Sequence, residues 1–135
     1  VRTPLDELIL QVCLLYEQRR DEVSARLKSS GSENKSAFPP GANPLKFLSM
    51  TPTPPQEKSL VQSCRHLLEV DALKVVNYGD TEVESDLLYR LTPIGYHCSR
   101  LPMDAKLAKT LSIGCILGVL DSALRIAASL SSTNR

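Results

Sequence analysis

Two histidines, four cysteines, a group of carboxylates and a short run of cations are the side chains of this sequence that could do chemistry. His97 adjoins Cys98, the residue types of a thiolate nucleophile and its base. Neighbours on a helix point about 100° apart, however, and do not make a dyad. His66 has no Ser or Cys nucleophile with an acidic partner at a suggestive spacing, so both histidines read as partly buried structural side chains. Cys13, Cys64, Cys98 and Cys115 lie 51, 34 and 17 residues apart with no C-x-x-C pair. Zinc-ligand spacing is therefore absent. Each cysteine falls in a stretch that reads as the apolar face of a helix, where a free thiol behaves as a small hydrophobe. Reduced, buried thiols favour an intracellular setting, cytoplasm or nucleus.

Asp80, Glu82, Glu84 and Asp86 crowd one short segment. Their run, D-T-E-V-E-S-D, lacks the glycine and the distal glutamate of a calcium loop and reads as a solvated tip. Arg100, Lys106, Lys109 and Arg125 form the basic concentration of the chain. Lys106 and Lys109 are three apart and share one side of a helix, with Arg100 just before it across Pro102. Phosphate binding requires several cations presented together, so Arg100, Lys106 and Lys109 are the candidate nucleic-acid-binding residues. No G-x-x-x-x-G-K-[ST] phosphate loop occurs, and the close glycines, Gly114 and Gly118, lie inside an apolar helical pattern. No catalytic residue, no metal site and no cofactor site is assigned in this chain.

These groups must be positioned by helices and one hairpin. Thr3-Pro4 opens the first helix as cap and first helical residue, and Leu5, Leu8, Ile9, Val12, Leu15 and Tyr16 recur on one face. Glu17 to Lys28 is charged, and either extends that helix into solvent or frays. Residues 29–43, SSGSENKSAFPPGAN, have the composition of a flexible insert with few apolar anchors. Pro44 to Leu48 is a short helix with Phe47 and Leu48 as buried contacts, ended by Thr-Pro-Thr-Pro-Pro. Pro55 starts the next helix, whose stripe is Leu60, Val61, Cys64, Leu67 and Leu68.

Leu73–Asn77 and Leu87–Leu91 then read as a β-hairpin with a long acidic tip. Thr92-Pro93 repeats the cap-plus-proline start for a helix carrying Ile94, His97, Cys98 and Leu101, ended by Pro102. Asp104 caps a helix reaching Leu120, where Gly114 and Gly118 thin one side for a close helix contact. Asp121 caps the last helix, with Leu124, Ala127, Ala128 and Leu130 inward. The fold class is mostly α with a small β-hairpin. Helix, short helix, helix and hairpin is the order of a winged-helix module, and further helices follow it.

A chain of 135 residues makes one compact domain or two small modules. The 16 Lys and Arg nearly balance the 15 Asp and Glu, so net charge supports no long-range pull toward nucleic acid or anionic lipid. The balance is local: residues 59–92 carry 3 basic and 6 acidic groups, and residues 93–135 carry 5 basic and 2 acidic groups. Apolar residues make up 42%, but aromatics only 4% with no Trp, so Leu, Val, Ile and Ala must build the core. Leu111 to Leu130 approaches the length of a membrane span, yet Asp121 and Arg125 interrupt it at about 2.5–3.5 kcal/mol each. Two short helices off the membrane explain it better. Val-Arg-Thr-Pro at the start, with neither Met nor a signal segment, suggests a piece of something longer.

Arg2-Thr3-Pro4-Leu5-Asp6-Glu7-Leu8 resembles the start of the winged-helix region in DEAH-box and RNA-helicase-A-like RNA helicases. Phe47-Leu48, Pro54-Pro55, Leu67-Leu68 and Ala72-Leu73 are similar to that region's next helices. Leu91-Thr92-Pro93-Ile94-Gly95, then Leu101-Pro102-Met103-Asp104 and Leu107-Ala108-Lys109, resemble the passage into the family's ratchet, or helicase-associated, domain. Leu120-Asp121, Leu124, Ile126-Ala127-Ala128 and Leu130-Ser131 continue it. The long insert, Ala108 where glycine is common and Arg125 where threonine is common depart from the pattern.

The resemblance implies a winged-helix domain over residues 1–92 with an insert at about 29–43, and the first helices of a truncated ratchet over 93–135. It implies a non-catalytic accessory region of an ATP-dependent 3′-to-5′ RNA helicase, helping to form the RNA channel and couple it to RecA-like domains of the same protein. ATP and Mg²⁺ would belong to that parent, because no Walker A motif, D-E-x-H box or arginine-finger motif is present here. Whether the chain is itself an enzyme stays open. One rival is a protein-interaction platform that docks a glycine-rich-patch activator. Another is a stand-alone winged helix reading duplex nucleic acid through Gln56–Val70, against which the acidic surroundings argue.

Overall fold

The structure, a computed structural model, describes residues 5–31, 41–76 and 87–133. Thr3-Pro4 and the acidic tip from Asp80 to Asp86 lie outside the described residues, as does most of the 29–43 insert. The elements are α1 (Leu5–Ser30), α2 (Pro44–Ser49), α3 (Glu57–Glu69), β1 (Leu73–Val76), β2 (Leu88–Leu91), α4 (Pro93–Arg100), α5 (Ala105–Ile116) and α6 (Leu120–Thr133). The chain is mostly helical with one antiparallel hairpin, in register Leu73 with Leu91 and Val76 with Leu88.

The charged stretch after Tyr16 extends α1. Glu17 is held from across the molecule by Arg90 of β2, Nε to Oε1 2.9 Å, and the Ser29 and Ser30 hydroxyls donate back to the Arg26 carbonyl at the last turn. Ile9, Leu10 and Cys13 bury the near half of α1 against Leu60, Cys64 and Leu67, the stripe read for α3. Leu45 and Leu48 of α2 and Leu73 and Tyr89 of the hairpin close the same core. Each Leu or Ile so enclosed contributes about 1.5–3 kcal/mol.

Helix starts follow local chemistry. The Asn43 side chain accepts from the Lys46 N–H at 3.0 Å ahead of Pro44, and Thr92 accepts from the Gly95 N–H at 3.0 Å ahead of Pro93. At α3 the cap is Gln56, so Pro55 stands one place outside the helix. The end of the insert is better anchored than its composition suggests: Ala42 is buried and exchanges two backbone hydrogen bonds with Tyr89, 2.8 and 2.7 Å.

Several expectations are corrected. His97, read as a partly buried side chain, is exposed on α4. Phe47 is 56% exposed, because in a six-residue helix Leu45 and Leu48 already take the inward face. Cys115 is exposed, unlike the other three thiols. Helix α5 stops at Ile116, not Leu120: Gly118 adopts a left-handed φ of 72° and turns the chain, so Asp121 lies in the first turn of α6 and is not its cap. The inward residues of α6 are Ala123 and Ala127, while Leu124 and Leu130 are half exposed. The reason is Gly114, where an added Cβ would stand 2.6 Å from the Ala123 Cβ. Helices this close meet through their smallest side chains, which leaves the larger ones outside. Among the described residues no helix is long and apolar enough to cross a membrane.

Candidate nucleic-acid interface

The three candidate cations sit on the two helices that follow the hairpin. Thr92 fixes the start of α4: its hydroxyl donates to the Asp71 carbonyl at 2.5 Å, and its N–H donates to the Ala72 carbonyl at 3.1 Å. Gly95 lets this turn abut the helix, since an added Cβ would overlap the Ala72 carbonyl. Cys98 and Ser99 then face inward and Tyr96, His97 and Arg100 outward. The Arg100 guanidinium lies 5.3 Å from the centroid of the Tyr96 ring, one helical turn earlier. His97 meets the same ring edge-on, with centroids 5.9 Å apart.

Sequence reasoning missed Tyr96. Its signal was the four-residue spacing to Arg100, which stacks side chains on a helix surface. A planar cation and an aromatic ring held together in the open are the groups that stack on bases and approach phosphates.

Lys106 is exposed in the first turn of α5. Lys109, one turn on, is engaged: its Nζ donates to the Asp71 carboxylate at 2.8 Å, tying α5 to the turn after α3. The described contacts therefore place Arg100 on the Tyr96 ring, Lys106 in the open and Lys109 in an ion pair. Arg125, noted beside them in the sequence, lies on α6.

The nucleophile candidates do not assemble. The His66 Nδ1 stands 2.7 Å from Asp6 Oδ2, a carboxylate partner that no sequence spacing revealed, and the pair joins α3 to α1. Cys64, two residues earlier, is buried in the core, and burial together with nearby Asp6 pushes its thiol up to about 11, the wrong direction for a nucleophile. Cys98 is buried, with its thiol likewise raised by burial, whereas His97 is exposed. Among the described residues no three metal-ligating side chains converge. Of the two close glycines in the sequence, Gly114 is packed on Ala123 and Gly118 closes a helix end.

Over 131 residues, 97% of its length, the chain is 33% identical to "ATP-dependent DNA/RNA helicase DHX36" of Rattus norvegicus. It is 39% identical over 85 residues, 63% of its length, to "DExH-box ATP-dependent RNA helicase DExH4, chloroplastic" of Arabidopsis thaliana, and 52% identical over 42 residues, 31% of its length, to "Putative ATP-dependent RNA helicase DHX57" of Homo sapiens. The chain belongs to the DEAH-box RNA helicase family. It spans 10%, 5% and 3% of those three relatives, so it corresponds to one segment of a DEAH-box helicase. No family model matches the chain, and no solved structure matches it. Within the DEAH-box family, then, this segment brings helix packing and an exposed cation–aromatic cluster, and its own sequence has no phosphate loop.

Proposed function

We propose that the chain is a non-catalytic accessory region of an ATP-dependent 3′-to-5′ RNA helicase. In this reading residues 1–92 form a winged-helix domain and residues 93–135 the first helices of a ratchet, which close an RNA channel against RecA-like domains of the same protein. The observation that carries it is similarity along 97% of a chain that spans a tenth of an ATP-dependent helicase and contains none of the nucleotide-binding motifs. ATP and Mg²⁺ act elsewhere in that parent. The exposed apolar side chains Ile116, Leu117, Leu124 and Ile126 on α5 and α6 and the turn between them support further packing there. Three buried reduced thiols accord with a cytoplasmic or nuclear setting.

The RNA contact is assigned to Arg100, Lys106 and Lys109. Changing all three to Gln in the full-length helicase should weaken RNA binding and flatten its salt dependence by about 1.4 in the log–log slope, roughly 0.7 for each of Arg100 and Lys106 on a single strand, because Lys109 is held by Asp71. Thermal stability should change by no more than about 1 kcal/mol, as for surface substitutions. Unchanged affinity and slope would return the three residues to an ordinary solvated face.

The docking alternative is favoured by one feature. Val12, Leu15 and Tyr16 of α1 and Phe47 and Met50 at α2, with Arg19 and Lys46, line an open and mostly apolar groove of about 510 Å³. A glycine-rich-patch activator seated there would bind with little dependence on salt, the opposite of the RNA face.

A further inference from the structure

Helix α3 ends in a turn whose two closing bonds run from the Ala72 N–H to the Leu67 carbonyl, 2.9 Å, and from the Asp71 N–H to the Leu68 carbonyl, 3.1 Å. This pattern places residue 71 in left-handed backbone, φ 60°. Helix α5 ends in the same pattern, from Val119 to Gly114 at 2.9 Å and from Gly118 to Cys115 at 3.3 Å, with Gly118 at φ 72°. Glycine is the usual occupant of that position because it has no Cβ to crowd the backbone. One turn thus carries the favoured residue, and its counterpart carries an aspartate in a conformation that costs energy. Strain kept in a fold points to a use for the side chain.

The use is visible. The Asp71 carboxylate accepts from Lys109 Nζ at 2.8 Å, and its side chain is 71% exposed against 27% for Lys109. The anion is the outer member of the pair, so a phosphate approaching Lys109 meets a like charge first. We infer that Asp71 tunes the affinity of the RNA face: it occupies Lys109, withholds one cation from the strand and so sets how tightly phosphate is held. This rests on the RNA reading of Arg100, Lys106 and Lys109.

The inference predicts a gain of binding from loss of a charge. Asp71→Asn keeps the size of the side chain and a residue that tolerates left-handed backbone, and removes only the anion. Binding of the full-length helicase to a fluorescein-labelled oligouridylate is followed by anisotropy across a potassium chloride series. Affinity should rise about two- to fivefold, the range expected for releasing an exposed ion pair. The salt slope should steepen by about 0.7, one further phosphate contact. Both effects should vanish when Lys109→Gln is added. Asp71→Gly, which suits the turn better still, should behave like Asp71→Asn and guards against a folding artefact.

Unchanged affinity, or an equal rise in the Lys109→Gln background, overturns the inference. The paired change Arg100→Gln with Lys106→Gln, in the same assay, reports on the RNA face itself. If that pair lowers affinity while Asp71→Asn does nothing, the Asp71 inference alone falls. If the pair also does nothing, the RNA reading fails and takes this inference with it.

Discussion

Three thiols of this chain are sealed and one is open, and the difference fixes their chemistry. Cys13 and Cys64 sit in the core between α1 and α3. Burial, reinforced by neighbouring Cys64, pushes the Cys13 thiol up to about 12, and Cys64 stands at about 11. In each case the folded state favours the protonated thiol. That contribution is whole below the unfolded thiol value of about 8.5 and is lost as pH climbs from there through the folded values. Stability measured by urea denaturation should therefore fall by about 2 kcal/mol for each of these two thiols between pH 8 and pH 10. In Cys13→Ala or Cys64→Ala chains, each compared with its own value at pH 8, the alkaline fall should shrink. A fall of the same size in both variants would place its origin elsewhere. Alkylation under native conditions should modify Cys115 well before the other three, because only Cys115 is exposed.

At the scale of elements, the Thr92-Pro93-Ile94-Gly95 segment acts as a clamp. Thr92 caps α4 and bonds back to the turn after α3, and Gly95 makes room for the Ala72 carbonyl. Gly95→Ala must push backbone against backbone, which no rotamer change relieves. It should cost about 3 kcal/mol, the upper end for overpacking, against about 1 kcal/mol for Thr92→Ala as a lost cap. Chemical denaturation of the two variants checks the order, and a Gly95→Ala chain within about 0.5 kcal/mol of wild type would show that the turn yields.

The same clamp shows what was legible in the sequence. The Thr92-Pro93 start of α4 and the α3 stripe were readable because they depend on residues within a turn or two of each other. The boundary between α5 and α6 was not, since an apolar run offers no periodic contrast and Gly118 declares its turn only through backbone bonds. Phe47 was misplaced because a six-residue helix has too few turns to define a face. The pairs that organise the site, Asp71 with Lys109 and Asp6 with His66, join residues 38 and 60 apart, a distance that no local pattern spans. Arg100 and Lys106 were legible as cations, and the ring that holds Arg100 was missed.

The whole molecule combines a helical core, a hairpin and a cation–aromatic corner, and its relatives are helicases about ten times longer. Phosphoryl transfer needs very little covalent chemistry from a protein, but it does need a cradle of backbone N–H groups, a lysine on the outer phosphates and an acid holding Mg²⁺. The sequence has no loop of that kind. Among the described residues Gly95 and Gly114 are pressed against neighbouring elements, and Gly31 and Gly118 end helices in left-handed backbone. Three of the described carboxylates, Asp6, Glu17 and Asp71, are each within ion-pair distance of a basic side chain. Purified chain should accordingly hydrolyse ATP no faster than a buffer blank, with or without single-stranded RNA, in a coupled phosphate-release assay. The full-length helicase under the same conditions should show RNA-stimulated turnover. RNA-stimulated hydrolysis by the isolated chain that persists through further purification would mean that a nucleotide site exists here, and the accessory reading would have to be given up.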